Sequence, residues 1–176
     1  MAEGEINGWA SHIPSLMTAV SVTAGPVIEC GVGFNSTPLL HAVCAATGRA
    51  LYSLDGNAEW LATFKDFASP EHSLVHVPDW SSPPFTQARY GVAFVDHDSI
   101  PRGALLPFLR GLADIIVMHD SETEYCGYMK PLEAFDWVYT HENSHVWTTL
   151  AGLGSPPPWL AGLLPGRAGI PVAYRR

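Results

Sequence analysis

The sequence predicts an α/β fold in which helices cover a mostly parallel β-sheet. Segments with the apolar runs of strands alternate with segments of helical spacing, as in consecutive βαβ units. The strand segments are continuously apolar, which is typical of strands buried on both faces. Hydrophobic residues make up 47% of the 176 residues and charged residues 15%, so the chain supports one domain with a sizeable core.

Seven strands are predicted. Each is a short run of apolar, β-branched or aromatic residues, and the runs are 27–30, 50–54, 73–77, 90–95, 114–118, 135–139 and 146–150. Helical spacing predicts helices at about 9–24, 36–48, 58–67 and 101–112. Only residues 81–89 separate the third and fourth strands, so this crossover is predicted to lack a helix.

The chain is expected to have three parts. Residues 1–25 form an N-terminal helical or irregular segment, residues 26–155 the main domain, and residues 156–176 a Pro- and Gly-rich tail. The N-terminus is acidic where a signal peptide is basic, so we expect no signal peptide. No apolar stretch reaches the ~18 residues of a membrane span, so we expect no transmembrane helix. Three widely spaced cysteines without a CxxC pair favour a reducing cytoplasm.

The charge of the chain restricts its partners. The formal net charge is −8 and the isoelectric point about 5.3. This argues against a surface that follows nucleic-acid phosphates, and the absence of Lys/Arg runs argues against an anionic membrane partner. We therefore expect the binding partner to be a small molecule, or a positively charged one.

A glycine turn follows the first predicted strand. Gly31 and Gly33 lie between that strand and a helix whose N-terminal N–H groups begin near Asn35 and Ser36. Asp55 ends the next strand, 24 residues after Gly31, where a carboxylate that binds two ribose hydroxyls is expected. The pattern predicts a nucleoside site; the alternative is an ordinary tight turn beside a solvated Asp55.

Two residues favour S-adenosylmethionine (SAM) as the nucleoside. Ser36 replaces the third glycine of GxGxxG, which packs helix on strand in dinucleotide folds. Glu29, two residues before the first glycine, would repel a pyrophosphate but could attract the ammonium and sulfonium charges of SAM. An NAD-linked oxidoreductase is therefore disfavoured.

The sequence resembles the class I SAM-dependent methyltransferases. The stretches that carry the resemblance, within residues 26–122, are VIECGVGFNSTPLL, LYSLDGNAEWL, VAFVDHD and IIVMHDSE. The resemblance implies a Rossmann-like three-layer sandwich with a mostly parallel seven-stranded sheet, an antiparallel last strand, and SAM across the strand C-termini. The sequence departs from the family pattern in lacking the helix after the third strand and a Gly-Gly pair before the fifth.

The resemblance also implies site residues. Glu29, Gly31 and Gly33 would line the methionine part of SAM, Asp55 would hold the ribose, and Asp79 with Trp80 would flank the adenine. The full predicted cofactor-binding set is Glu29, Gly31, Gly33, Asn35, Ser36, Asp55, Gly56, Asn57, Asp79, Trp80, Asp96 and His97.

Polar residues at two later strand ends are candidates for the acceptor site. Asp96, His97 and Asp98 follow the fourth strand, and His119 and Asp120 follow the fifth. Both ends should face the same crevice of an open sheet. A hydroxyl acceptor needs a base, and we predict His119 for this role, oriented by Asp120 or Asp96.

Two other interpretations of these strand ends stay open. The residues could cap loops without any catalytic role. Their carboxylates could also hold a divalent cation, which is not the favoured interpretation. No metal-binding residue is predicted.

A second motif competes with this interpretation. The stretch HENSH at 141–145 matches HExxH, in which His141 and His145 would bind zinc and Glu142 would activate water. Residues 146–176 contain no His, Asp, Glu or Cys as a third ligand, and the flanking residues favour strands. A zinc-dependent hydrolase is therefore the alternative enzyme, and a non-catalytic nucleotide-binding module is the third possibility.

Overall fold

The fold is built on one seven-stranded sheet with the order β3-β2-β1-β4-β5-β7-β6. The computed structural model describes residues 8–98, 101–142 and 146–161. The strands are β1 (Val27–Cys30), β2 (Leu51–Asp55), β3 (His72–His76), β4 (Tyr90–Val95), β5 (Ala113–His119), β6 (Trp137–His141) and β7 (Thr148–Gly152). Strands β1 to β5 pair in parallel, whereas β7 pairs antiparallel with both β5 and β6. Among these seven strands only β7 therefore runs in the opposite direction, which confirms the predicted topology.

Helices cover both faces of the sheet. The helices are α1 (Ile13–Val22), α2 (Thr37–Thr47), α3 (Ala58–Ala62), α4 (Leu106–Leu109), α5 (Met129–Leu132) and α6 (Pro158–Ala161). Leu16, Leu40 and Leu160 bring α1, α2 and α6 into the core on one face. Leu106 and Leu132 bring α4 and α5 into the core on the other. The predicted three-layer sandwich is confirmed. A separate finding is that no helix among the described residues is long and apolar enough to cross a membrane.

The N-terminal helix α1 is part of the main core. Leu16 and Ala19 are fully buried, in one cluster with Val27 of β1, Leu51 of β2 and Val92 of β4. The predicted boundary near residue 25 therefore does not separate two cores. This packing brings the residues that precede α1 to the C-terminal edge of the sheet, beside β4 and β5.

The crossover from β3 to β4 has no helix, as predicted. Residues 77–89 are all described, and they form turns and irregular chain. The hydroxyl of Tyr90 accepts hydrogen bonds from the backbone N–H groups of Thr86 and Gln87, both at 3.2 Å. Phe85 packs against the core, so this loop covers a part of the sheet that a helix would otherwise cover.

Two predicted helices are shorter than expected. The segment 58–67 divides into α3 and a 3-10 turn at Lys65–Phe67, and the segment 101–112 divides into a 3-10 turn at Arg102–Leu105 and α4. Pro107 lies in the first turn of α4, where its missing N–H is tolerated, so a new helix starts there. Gly111, with φ of +85°, then turns the chain toward β5.

Candidate active site

The turn after β1 requires a glycine at position 31. Gly31 has φ of +101°, and a Cβ there would overlap the backbone carbonyl of Asp96. The N–H of Gly31 donates to the carbonyl of Leu54 (2.8 Å), and the N–H of Asp96 donates to that of Cys30 (2.7 Å). The turn is thus held between the ends of β2 and β4, and this close approach explains the residue type.

The Glu29 carboxylate lies inside the packing between β1, α2 and β2. It is fully buried and accepts hydrogen bonds from the Thr37 hydroxyl at 3.0 and 3.1 Å and from the Ser53 hydroxyl at 2.5 Å. Burial raises the pKa of Glu29 to about 7. The side chain faces α2 rather than the cavity described below, so its expected contact with a ligand charge stays a prediction.

Asp55 connects the glycine turn to the loop after β2. Its Oδ2 accepts a hydrogen bond from the backbone N–H of Val32 at 3.0 Å, and its Oδ1 accepts one from that of Asn57 at 2.8 Å. Burial raises the pKa of Asp55 in spite of these two bonds. The Asn57 side chain in turn caps α3 by accepting from the N–H groups of Glu59 and Trp60. Asp55 therefore fixes the relative position of two loops that border one cavity.

This cavity lies at the C-terminal edge of the sheet and has a volume of about 610 Å³. That size suits a drug-sized ligand or a cofactor. Its lining combines the glycine turn, the loops after β2, β4 and β5, and the chain before α1. The lining residues are Trp9, His12, Val32, Gly33, Phe34, Asn35, Ser36, Asn57, Trp60, Asp96, Asp98, Arg102 and Asp120. Gly33, Asn35, Ser36, Asn57 and Asp96 from the predicted cofactor set are thus brought together.

Aromatic residues form one wall of the cavity. Phe34, which is 69% exposed, contacts Trp60 edge-on with ring centroids 5.2 Å apart. The indole N–H of Trp60 donates to the carbonyl of Val32 at 2.8 Å, which fixes the ring beside the glycine turn. The sequence interpretation did not select Phe34 or Trp60. Their positions in the sequence could have identified them as cavity residues, since Phe34 follows Gly33 directly and Trp60 lies one helical turn after Asn57.

Besides the aromatic residues, Asp96, Asp98, Arg102 and Asp120 form a polar wall of the cavity, and Arg102 holds it together. Its Nη1 lies 3.0 Å from Asp96 Oδ1 and 2.8 Å from Asp120 Oδ2, and its Nε donates to the His97 carbonyl at 2.6 Å. Burial lowers the pKa of Arg102, but the two carboxylates outweigh this and the net direction is upward. Asp120 has φ of +52°, unusual for a residue other than glycine. The predicted pairing of the β4 and β5 ends is present, with an arginine between them that sequence reasoning missed.

His119, the predicted base, lies behind this wall. It is 3% exposed; its Nδ1 is 3.3 Å from Asp96 Oδ1 and its Nε2 is 3.0 Å from the Ser11 hydroxyl. Burial lowers the pKa of His119, but the hydrogen bond and charge of Asp96 outweigh it, so the pKa is raised. The structure thus brings His119 together with Asp96, but His119 does not itself line the cavity.

His12 does line the cavity. It is 2% exposed, and its ring stands edge-on to that of His119 with centroids 4.8 Å apart. Burial, with a smaller contribution from the charge of His119, lowers the pKa of His12 to about 3, so the ring is neutral. Sequence reasoning missed His12 because its proximity to the strand ends depends on how α1 docks.

Other predicted cofactor residues lie apart from this cavity. Trp80 stacks on His97, with centroids 4.3 Å apart, and both line a second cavity of about 360 Å³ together with Asp79. Asp79 accepts hydrogen bonds from the N–H and hydroxyl of Ser81, both at 2.8 Å. The Gly56 carbonyl is 3.1 Å from a ring nitrogen of His76. A role for Asp79, Trp80, His97 and Gly56 in adenine or ribose binding stays a prediction.

The HENSH segment is only partly described. His141 ends β6 and pairs with Thr148 across the antiparallel ladder, so it does not begin a helix. Its Nδ1 lies 3.5 Å from the Ser15 hydroxyl of α1. Residues 143–145 lie outside the described residues, and the geometry of the whole motif is therefore not defined.

Comparisons with known proteins agree on the fold. No protein-family model and no curated protein matches the sequence. Among solved structures, a TehB-like SAM-dependent methyltransferase from Corynebacterium glutamicum is similar over 87% of this chain and 91% of its own, with TM-score 0.55 and 13% identity. A precorrin-6y C5,15-methyltransferase from Geobacter metallireducens is similar over 80% and 87%, with TM-score 0.60 and 12% identity.

A third similar structure contains a ligand. The N-terminal domain of human METTL16, in complex with S-adenosylhomocysteine (SAH), matches 82% of this chain and 70% of its own, with TM-score 0.56 and 10% identity. The fold of the present chain is therefore the Rossmann-like fold of the class I SAM-dependent methyltransferases, as the sequence resemblance implied.

Proposed function

We propose that this protein is a SAM-dependent methyltransferase that moves a methyl group to an oxygen or nitrogen of a small acceptor. The observation that carries the proposal is the bridge made by Asp55, from the end of β2 to the Val32 N–H of the glycine turn. It places a carboxylate with spare lone pairs next to the glycine turn, which borders the 610 Å³ cavity. Ribose hydroxyls are the donors that such a carboxylate suits.

The cavity matches the chemistry of SAM on two sides. Phe34 and Trp60 offer aromatic faces for the adenine ring. On the polar wall, the carboxylates of Asp96, Asp98 and Asp120 face the guanidinium of Arg102, so these four described residues carry a formal charge of −2. A negative wall suits the ammonium and sulfonium groups of SAM, so these acids would supply attraction of the kind predicted for Glu29.

The reaction is an in-line displacement. A lone pair on the acceptor attacks the methyl carbon, the carbon–sulfur bond breaks, and its electron pair stays on sulfur to give SAH. The proton of a hydroxyl acceptor then passes to a base. In metal-free protein the candidate base is His119, which Asp96 orients through the 3.3 Å contact and Asp120 approaches at 3.6 Å. Most of the rate would come from positioning in the cavity.

Calorimetric titration with SAM and with SAH tests the proposal. We expect both to bind at one site per chain. If neither SAM nor SAH binds, the proposal is eliminated. Formation of SAH with small hydroxyl and amine acceptors distinguishes an enzyme from a non-catalytic nucleotide-binding module, which would bind SAM without turnover. The zinc-hydrolase alternative has less support because His141 is in a strand, whereas HExxH needs both histidines on one helix.

The expected partners and compartment follow from charge and cysteines. A net charge of −8 supports a small-molecule acceptor rather than nucleic acid or a membrane. Cys30, Cys44 and Cys126 are buried as free thiols, which supports a cytoplasmic location.

A further inference from the structure

One group of side chains on the polar wall has the composition of a metal site. Among the described residues, only His12, Asp96 and His119 each offer one ligand atom such that all three lie within 4.8 Å of one another. They come from the chain before α1 and from the ends of β4 and β5. The group thus depends on the fold rather than on a sequence motif, and neither His141 nor Glu142 of the HENSH segment belongs to it.

The state of His12 points to a missing ligand. Its imidazole is 2% exposed, yet neither ring nitrogen has a hydrogen-bond partner within the described parts of the chain. Buried polar atoms without partners are rare in native proteins, because each one loses its hydration without compensation. A bound cation would supply the partner, since a ring nitrogen can donate its lone pair to a metal.

The distance between His119 and Asp96 supports the same conclusion. His119 Nδ1 and Asp96 Oδ1 are 3.3 Å apart, which is long for a hydrogen bond between an imidazole and a carboxylate. Two ligand atoms about 2.0 to 2.1 Å from a tetrahedral zinc ion are about 3.3 Å apart. The remaining nitrogen of His119 contacts the Ser11 hydroxyl at 3.0 Å, as a metal-bound histidine commonly holds its second N–H.

The charge around the group is compatible with a dication. Arg102 shares Asp96 Oδ1 with His119 and therefore opposes a cation there. Asp120 and Asp98 outweigh it, because the wall keeps a formal charge of −2. Arg102 already forms ion pairs with the carboxylates of Asp96 and Asp120. A metal site built from these two carboxylates without the histidines is therefore disfavoured.

We propose that His12, Asp96 and His119 bind one divalent transition-metal ion, with zinc as the representative. Two imidazoles and one carboxylate favour zinc and its neighbours over magnesium or calcium. Three protein ligands leave a coordination position open, and His12 and Asp96 line the cavity, so that position faces the bound ligand. There the ion would polarise an acceptor hydroxyl, and His119 would act as a ligand instead of as a base.

Metal titration of the full chain tests the site. Chelator-treated protein is titrated with Zn²⁺ by calorimetry and with Co²⁺ by visible absorption. We expect one ion per chain and the d–d bands of a site with nitrogen and oxygen ligands. His12→Ala and Asp96→Asn should each weaken Zn²⁺ binding by about 100-fold or more. His76→Ala is the matched control, because His76 is exposed and outside the cavity lining, and it should bind Zn²⁺ as the wild type does.

SAH titration of the same samples separates this proposal from the proposed function. His12→Ala that binds SAH but not Zn²⁺ is folded and supports the site. Wild-type Zn²⁺ affinity in His12→Ala overturns it, as does a wild type that takes up no metal while still binding SAH. Loss of Zn²⁺ binding in a His141→Ala, His145→Ala variant, with His12→Ala unaffected, would assign the metal to the HENSH segment and also overturn it.

Discussion

The carboxylate of Asp55 and the backbone N–H of Val32 form a 3.0 Å hydrogen bond between residues 23 positions apart. It joins the end of β2 to the glycine turn after β1, directly beside the cavity. One carboxylate therefore fixes the turn, and its oxygen atoms are those we predict to accept hydrogen bonds from the ribose hydroxyls.

Replacing Asp55 by Ala should weaken SAM and SAH binding. The loss of charge-assisted hydrogen bonds to the ribose is expected to cost about 2–4 kcal/mol, which is roughly 30- to 1,000-fold in affinity. Calorimetric titration measures this, and a thermal scan verifies that the variant is folded. Asp114→Ala is the control, because Asp114 lies at the opposite end of the sheet in an exposed pair with Arg89. Equal SAH affinity in Asp55→Ala and wild type would show that Asp55 has only a structural role.

Replacing Gly31 by Ala should destabilise the protein strongly. The alanine would keep φ of +101° and force its Cβ into the Asp96 backbone, so we expect a loss of about 3 kcal/mol or more. Gly48→Ala is the matched control, since Gly48 also has positive φ but a Cβ there meets nothing within 4 Å. That variant should lose only about 1 kcal/mol. Urea unfolding measures both, and equal losses would contradict the close approach of Gly31 to β4.

The elements that sequence predicted correctly are those encoded locally. Gly31 and Asp55 are recognisable because a glycine turn and a strand-end acid occur at a fixed spacing along the chain, and the strands are visible as buried apolar runs. The shortened helix after residue 101 was in principle readable from Pro107. The orientation of Glu29 was not readable in this way: side chains two apart on a strand share a face, but only the structure shows that Val27 packs on the α2 side.

The polar wall could not be predicted in the same way. Arg102 reaches Asp96 and Asp120 only because the 3-10 turn that begins with it folds over the ends of β4 and β5. His12 reaches His119 across 107 residues, through the docking of α1 on the sheet. Such proximities depend on tertiary packing, and a single sequence carries no local signal for them.

Arg102 should contribute far more to stability than Arg89. Arg102 is 8% exposed and serves two carboxylates and a backbone carbonyl, so Arg102→Ala leaves these groups without their partner. We expect a loss of about 2–4 kcal/mol, reduced from a fully buried case because both carboxylates are about a quarter exposed. Arg89→Ala breaks an exposed pair with Asp114 and should cost at most about 1 kcal/mol. Similar losses in urea unfolding would mean that the polar wall is solvated.

Glu29 should make stability depend on pH. Because burial raises its pKa from 4.5 to about 7, the folded protein holds a proton between these pH values that the unfolded chain has released. The stabilisation that comes from protonated Glu29 is therefore fully present below pH 4.5 and is lost as the pH rises to about 7. Above that pH, Glu29 causes no further change in the free energy of unfolding. The total is on the order of 3 kcal/mol.

The variant Glu29→Gln isolates this contribution, because an amide resembles the protonated carboxyl and can bond to Thr37 and Ser53. A hydrogen-bonded chain leads from Glu29 through Ser53 and His72 to His41, so the proton has a path toward the surface. We expect the wild type to lose stability relative to Glu29→Gln from pH 5 to pH 8, measured by urea unfolding at each pH. A constant difference across that range would mean that Glu29 keeps one protonation state in folded and unfolded protein alike, and that its buried carboxylate is stabilised as a charge by the two hydroxyls.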